Sequence, residues 1–178
     1  MKKVLLSIML ISLCVSVQAQ QKGGILGQKA PKWNVKKWHH LSQDKKSLEI
    51  DEYKGKVIYL YCFQSWCPGC HSAGFPTLKK VQEKFKNNKE VKFLAIQTVF
   101  EGFHTNTFAN ALKVSKKFGL TIPFGQSGEK GVKSQLMKDY RTRGTPWAII
   151  IGKDGLVKYN DFHIKSSEAE KIINKELK

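Results

Sequence analysis

Acidic residues are scarce in this 178-residue chain. Fourteen Asp and Glu stand against 31 Lys and Arg, a formal net charge of +17. Lysine far outnumbers arginine and is spread along the whole length, with no arginine cluster and no nucleic-acid motif. That pattern argues against a nucleic-acid interface and leaves attraction to an anionic membrane surface open. Internal repeats and low-complexity tracts are absent, and the length suits one domain with its own core. Cysteine is rare, with four in total. The longest mostly apolar run, Val4 to Val17, is too short to span a bilayer comfortably and ends at Gln18 and Gln20.

That run follows a basic start, Met1-Lys2-Lys3, and leads to Val17-Gln18-Ala19, a small-residue cleavage pattern. The expectation is a secretory signal over residues 1–19 and a single domain over 20–178. A lipid anchor on Cys14 is the lesser reading, because Leu13 is larger than the residue that normally precedes a lipidated cysteine. Export to a periplasm or cell envelope places the remaining Cys62, Cys67 and Cys70 where disulfides are permitted. Three is odd, so one bridge and one leftover thiol is the simple count.

The chain is organised around Trp66-Cys67-Pro68-Gly69-Cys70. Val57 to Phe63 is apolar on both faces, as a central parallel strand covered on both sides would be. Cys62 lies within it and reads as a small buried hydrophobe. Pro68 suits a first helical position, and Phe75, Leu78, Val81 and Phe85 follow at helical spacing, predicting a helix to about Lys86. Pro76 falls inside that helix and predicts a kink. Two cysteines at this spacing, at a strand-to-helix junction, make a redox dithiol. The helix start favours negative charge on Cys67, and Cys70 lies one turn inward on the same face.

Around this centre, Ala30 to Val35 and Leu48 to Ile50 predict a short N-terminal β-hairpin at the sheet edge. His39-His40 between them has no acid or cysteine at ligand spacing and reads as solvated loop, so no metal or organic cofactor is implied. Val91 to Ile96 reads as a strand and Phe108 to Phe118 as a helix, while Gly125, Gly128 and Gly131 mark a loop and Val132 to Tyr140 a short helix. Trp147 to Ile151 is a third apolar strand, turned at Lys153-Asp154-Gly155 into an antiparallel partner. Ser167 and Glu170 suggest a capping box for a last helix. The order of elements is that of an α/β fold with a central mixed sheet flanked by helices.

Thr145-Pro146 stands just ahead of the third apolar strand. Together with Lys54-Gly55-Lys56-Val57, Phe63 to Cys70, Gly144 and Lys153-Asp154-Gly155, it makes the chain resemble the thioredoxin superfamily. Within that superfamily it resembles the exported TlpA/ResA-like thiol-disulfide oxidoreductases. The resemblance implies a redox-active Cys67–Cys70 pair with Cys67 as nucleophile and Cys70 as resolving thiol. It also implies a cis Pro146, and Trp66 and Thr145 as flanks of a substrate groove. By the same resemblance the enzyme reduces disulfides of exported proteins or peptides and draws electrons from a membrane or soluble thiol donor. Three departures stand out. Tyr61 occupies the position of thioredoxin's buried acid, Pro76 lies one residue further on than is usual, and Val99 to Gly131 is long. Its Glu101 and His104 read by default as solvated loop residues, with a place lining the site as the lesser reading.

Two alternatives compete. Cys67-Pro68-Gly69-Cys70-His71 also spells the c-type haem attachment pattern of an electron carrier. A peroxiredoxin-like thiol peroxidase is the enzymatic rival, although Gln64 and Leu60 stand where that chemistry wants a hydroxyl residue and a proline.

Overall fold

Seven consecutive residues, Val57–Phe63, form the central strand, and every one of them is buried. The alternation of a strand sends them to opposite faces. Val57, Tyr59, Tyr61 and Phe63 enter one core, and Ile58, Leu60 and Cys62 enter another. This is why the sequence shows an unbroken apolar run instead of an alternating one. The computed structural model describes residues 24–42 and 44–178. The expected signal segment and Cys14 lie outside these residues.

Six strands make one mixed sheet: β1 (Lys37–His39), β2 (Val57–Phe63), β3 (Val91–Thr98), β4 (Phe124–Ser127), β5 (Trp147–Ile151) and β6 (Val157–Phe162), in the order β1-β4-β3-β2-β5-β6. β2 runs parallel to β3, and β3 to β4; β5 is antiparallel to both β2 and β6. The first core lies under α1 (Phe75–Lys84), α2 (Phe108–Phe118) and α4 (Ser166–Leu177), through Phe75, Leu78, Ala111, Val114, Ala169 and Ile173. The second is covered by α3 (Gln135–Asp139), through Leu136, and by the N-terminal segment. This is the thioredoxin-like α/β fold.

The N-terminal β-hairpin does not form. Trp33, Val35 and Leu48 are buried in the second core, so this segment is a cover for a sheet face, not an added edge. Asn34 takes a left-handed φ of 52°, which breaks the extended alternation. Ile50–Tyr53 turns into a 3₁₀ helix with a Glu49–Glu52 capping box. The real edge strand is β1, with Lys37–His39 paired to Gln126–Phe124. His39 therefore lies at a strand end.

β4 is the strand that sequence reasoning read as loop. A Cβ at Gly125 would stand 2.9 Å from Val35 Cγ1 and 3.0 Å from the Trp38 ring, so glycine here admits the N-terminal cover. α4 begins at Ser166 behind Lys165 with no side-chain cap, so the expected Ser167–Glu170 box is not the one that starts the helix.

Candidate functional site

β2 ends at Phe63, the chain turns through Gln64-Ser65-Trp66, and a helix begins at Pro68. Pro68 at the first helical position gives up an N–H that would have no partner there. Cys67 stands where an N-cap residue stands, and its sulfur does a cap's work. The backbone N–H of Cys70, three residues on, donates to Cys67 Sγ at 3.2 Å. The residue that begins the helix is thus bonded through its sulfur to the backbone of the second cysteine.

The expected disturbance at Pro76 takes the form of a wider turn just before it. The helix opens into a π turn over Cys70–Gly74, in which the N–H of Phe75 reaches the Cys70 carbonyl. Pro76 has no N–H to give to Ser72, and the wider turn accommodates the missing bond. The regular helix that follows ends at Lys84, two residues short of the expected Lys86. Gly74 is required beside this turn. A Cβ there would lie 1.9 Å from the Tyr61 hydroxyl, which itself donates to the Cys70 carbonyl at 3.4 Å.

The Thr145–Pro146 peptide bond is cis. Thr145 carbonyl oxygen lies 3.5 Å from Cys67 Sγ, and Pro146 packs against the turn, its Cδ 3.4 Å from a Cβ built on Gly69. The proline bend and the two cysteines, 78 residues apart along the chain, therefore form one cluster.

The two sulfurs sit in different environments. Cys67 is 6% exposed and Cys70 is 0% exposed. The Cys67 thiol is held down to about 6, chiefly by a hydrogen bond from the Cys70 thiol. Burial opposes this, and the Thr145 side chain, the Cys70 N–H and the charge of His71 reinforce it. Burial pushes the Cys70 thiol up, and the bond to Cys67 pushes it further. Cys62 is also raised, by burial alone. At neutral pH the pair holds one thiolate and one thiol.

Beside Cys67 opens a groove of about 410 Å³, lined in part by Trp66, Phe100, Glu101, Thr145 and Phe162. Of the residues expected at the site, Cys67, Trp66 and Thr145 face this groove. Cys70 lies behind, and Pro146 borders a small hollow with Tyr61 and His163. Glu101 lines the groove, whereas His104 is exposed outside it.

Behind the groove is a buried polar ladder that sequence reasoning missed. Gln97 accepts from the Ser65 N–H at 2.9 Å and from the Ser65 hydroxyl. Its amide nitrogen donates to the Asn106 and Thr107 carbonyls, both at 3.1 Å, and to Gln126 Oε1 at 3.0 Å. Asn106 in turn donates to Gln64 Oε1 at 3.1 Å. These bonds tie the turn before Cys67 to the loop after β3. The available signal was a glutamine closing each of two apolar strands, Phe63-Gln64 and Ile96-Gln97.

His71 is half-buried beside the turn. A carbonyl can only accept, so Nε2–H donates to Ser65 oxygen at 2.7 Å, while Nδ1 lies 3.4 Å from Lys117 Nζ. The ring lies beside the stacked Phe75–Phe118 pair, with centroids 6.0 and 5.6 Å away.

The Redoxin family model matches residues 25–177. The thiol-disulfide oxidoreductase ResA of Bacillus anthracis is 26% identical over 132 residues, covering 74% of this chain and 66% of that protein. The same enzyme from Bacillus cereus is 25% identical over the same span. Among solved structures, a thioredoxin-like superfamily protein aligns with a TM-score of 0.76 and 28% identity, over 84% of this chain and 96% of the other. A thiol-disulfide isomerase from Corynebacterium glutamicum aligns with a TM-score of 0.70 and 27% identity, over 83% and 96%.

Proposed function

The chain belongs to the Redoxin family, as a ResA-like redox enzyme of the thioredoxin superfamily, and on that premise we propose that it exchanges disulfides through Cys67 and Cys70. The observation that supports this most directly is the Cys67 sulfur, held low at a helix start and placed 3.5 Å from the Thr145 carbonyl.

The Cys67 thiolate attacks one sulfur of a substrate disulfide. An S–S bond forms to Cys67, and the substrate's other sulfur leaves as a thiolate that takes a proton from water. Cys70 then gives up its proton and attacks Cys67. The Cys67–Cys70 bond forms and the second substrate thiol departs. Two electrons pass to the substrate, which becomes two thiols, and the enzyme becomes a disulfide that a separate thiol donor must reduce.

The direction we propose is reduction of disulfides in exported proteins, in the periplasm or cell envelope. Redox titration with thiol trapping and mass spectrometry tests it. The expected potential lies nearer to thioredoxin's, about −270 mV, than to DsbA's, about −120 mV. A value near the latter would make the protein an oxidant. Cys67→Ser should abolish insulin-disulfide reduction, and retained activity would move the chemistry elsewhere. Neither rival reading gains support. Leu60 is packed in the core and Gln64 is bonded to Asn106, so neither supplies a peroxide site. His71 Nε2 is bonded to the Ser65 carbonyl oxygen, which takes up one of the two ring nitrogens a haem iron could use.

A further inference from the structure

The groove beside Cys67 runs against the composition of the chain. Basic residues outnumber acidic ones by more than two to one overall, 31 to 14. Along the groove the ratio inverts, with Glu101 and Asp161 facing Arg143 alone. The two carboxylates come from opposite flanks of the dithiol. Glu101 follows β3 and Asp161 lies on β6, and the sheet order puts those strands on either side of β2. Neither makes an ion pair among the described residues; the paired acids there are Glu52, Glu83, Glu90, Glu129, Asp154 and Glu176. Asp161 only accepts the N–H of Phe162 next to it.

Apolar surface is concentrated in the same place. Four large hydrophobic side chains are well exposed among the described residues, and two of them, Trp66 and Phe162, each 48% exposed, flank this groove. Such surface marks a binding site when it is contiguous, and Phe100 joins it here. A cavity of about 150 Å³ holds one benzene ring. At about 410 Å³ the groove has room for two or three side chains.

We propose that the groove selects disulfides in extended polypeptide segments whose cysteine is flanked by a bulky apolar residue and by a Lys or Arg within two positions. This rests on the dithiol reading above. The apolar side chain lies on Trp66 and Phe162, and the cation sits between Glu101 and Asp161. The rest of the protein repels cationic partners at long range, but that field is screened over about 8 Å at physiological salt. At contact the two unpaired carboxylates decide. Acidic segments meet repulsion in the groove and are disfavoured.

The test uses four quenched-fluorophore peptides of equal length, each closed by one disulfide. They differ only in the two residues beside the cysteine: Phe and Lys, Phe and Glu, Ser and Lys, or Ser and Ser. Pre-reduced protein is mixed with each at sub-saturating concentration, in 20 mM and in 500 mM NaCl. The Phe–Lys peptide should be reduced about tenfold faster than the Phe–Glu peptide at low salt, with the ratio shrinking at high salt. In the double variant Glu101→Gln, Asp161→Asn the ratio should approach one. In Phe162→Ser the advantage of the Phe–Lys peptide over the Ser–Lys peptide should narrow, with the change in KM. Equal rates for all four peptides would overturn the specificity and leave the dithiol chemistry standing. A charge preference that survives the double variant would overturn it too. Failure to reduce any peptide would overturn the dithiol reading, and this inference with it.

Discussion

Replacing Cys70 by Ala isolates the interaction that charges Cys67. The Cys70 thiol is the largest influence holding Cys67 down to about 6, and Ala removes it while leaving the backbone N–H that donates to Cys67 Sγ at 3.2 Å. A hydrogen bond to a charged group is worth about 1.5–3 kcal/mol. At about 1.4 kcal/mol per pH unit, that predicts a midpoint rising from about 6 to about 7–8. Cys70→Ser keeps a donor on the side chain and should raise it less. A single rate at neutral pH is the wrong assay. At pH 7 a thiol titrating near 6 is about nine-tenths thiolate, against about one part in a hundred for an ordinary cysteine near 9. Nucleophilicity falls with pKa, however, at a Brønsted slope of about 0.4–0.5, so the net gain in rate is only about three- to sixfold. The position of the midpoint is decisive. Iodoacetamide labelling of Cys67, followed by mass spectrometry from pH 4 to 10, reports it directly. A wild-type midpoint near 9, or one that Cys70→Ala leaves in place, would refute the account.

The lowered Cys67 also makes folding pH-dependent. Its folded value lies below its unfolded one, so its contribution is complete above pH 9 and is lost as pH falls through about 6. Cys62 and Cys70 are shifted the other way, so their contribution declines once pH rises above 9. Urea unfolding of the reduced protein should therefore show stability climbing from pH 6 toward 9 and falling beyond, with the climb flattened in Cys67→Ala. Gly74→Ala would drive a methyl into the buried Tyr61 hydroxyl and should cost about 3 kcal/mol; Tyr61→Phe should recover part of that loss, read as a shift in urea midpoint. Gln97→Leu strands the Ser65 N–H and the Asn106 and Thr107 carbonyls, and should cost about 2–4 kcal/mol with faster proteolysis of the 99–107 loop.

The central strand, the dithiol at its end and the antiparallel β5–β6 pair were legible in the sequence, because each depends on local pattern. An apolar run of seven residues covered on both sides, a proline at a helix start and a Lys-Asp-Gly turn are short-range signals. What escaped was decided by distant neighbours. Gly125 looks like loop until Trp38 and Val35 arrive to occupy the space a Cβ would fill. Trp33 and Val35 alternate like an edge strand, yet the second face of the sheet needs covering, and burial there outweighs an edge hydrogen-bond ladder. The glutamine ladder behind the groove joins residues up to 42 positions apart, and no local pattern announces it. Pro76 announced a disturbance but not its form, because a π turn and a kink both relieve the same missing bond.

Tyr61 gives the dithiol its own logic. Its hydroxyl, buried and pushed well above 10 by that burial, is bound to the Cys70 carbonyl and cannot take a proton at neutral pH. Among the described residues, no carboxylate is one of the groups acting on the Cys70 thiol for the resolving step. The pair supplies what is missing. The bond that lowers Cys67 is the same bond that raises Cys70, one thiol donating to the other's sulfur. Once Cys67 has attacked, its sulfur is neutral and already bonded to substrate, so it no longer holds the Cys70 proton or repels a charge on Cys70. Attack therefore lowers the barrier to ionising Cys70, which still has desolvation against it. Tyr61 keeps the backbone of Cys70 in place through this exchange, and Gly74 makes room for it to do so. The two thiols are thus activated in sequence chiefly by each other, and the first event releases the second.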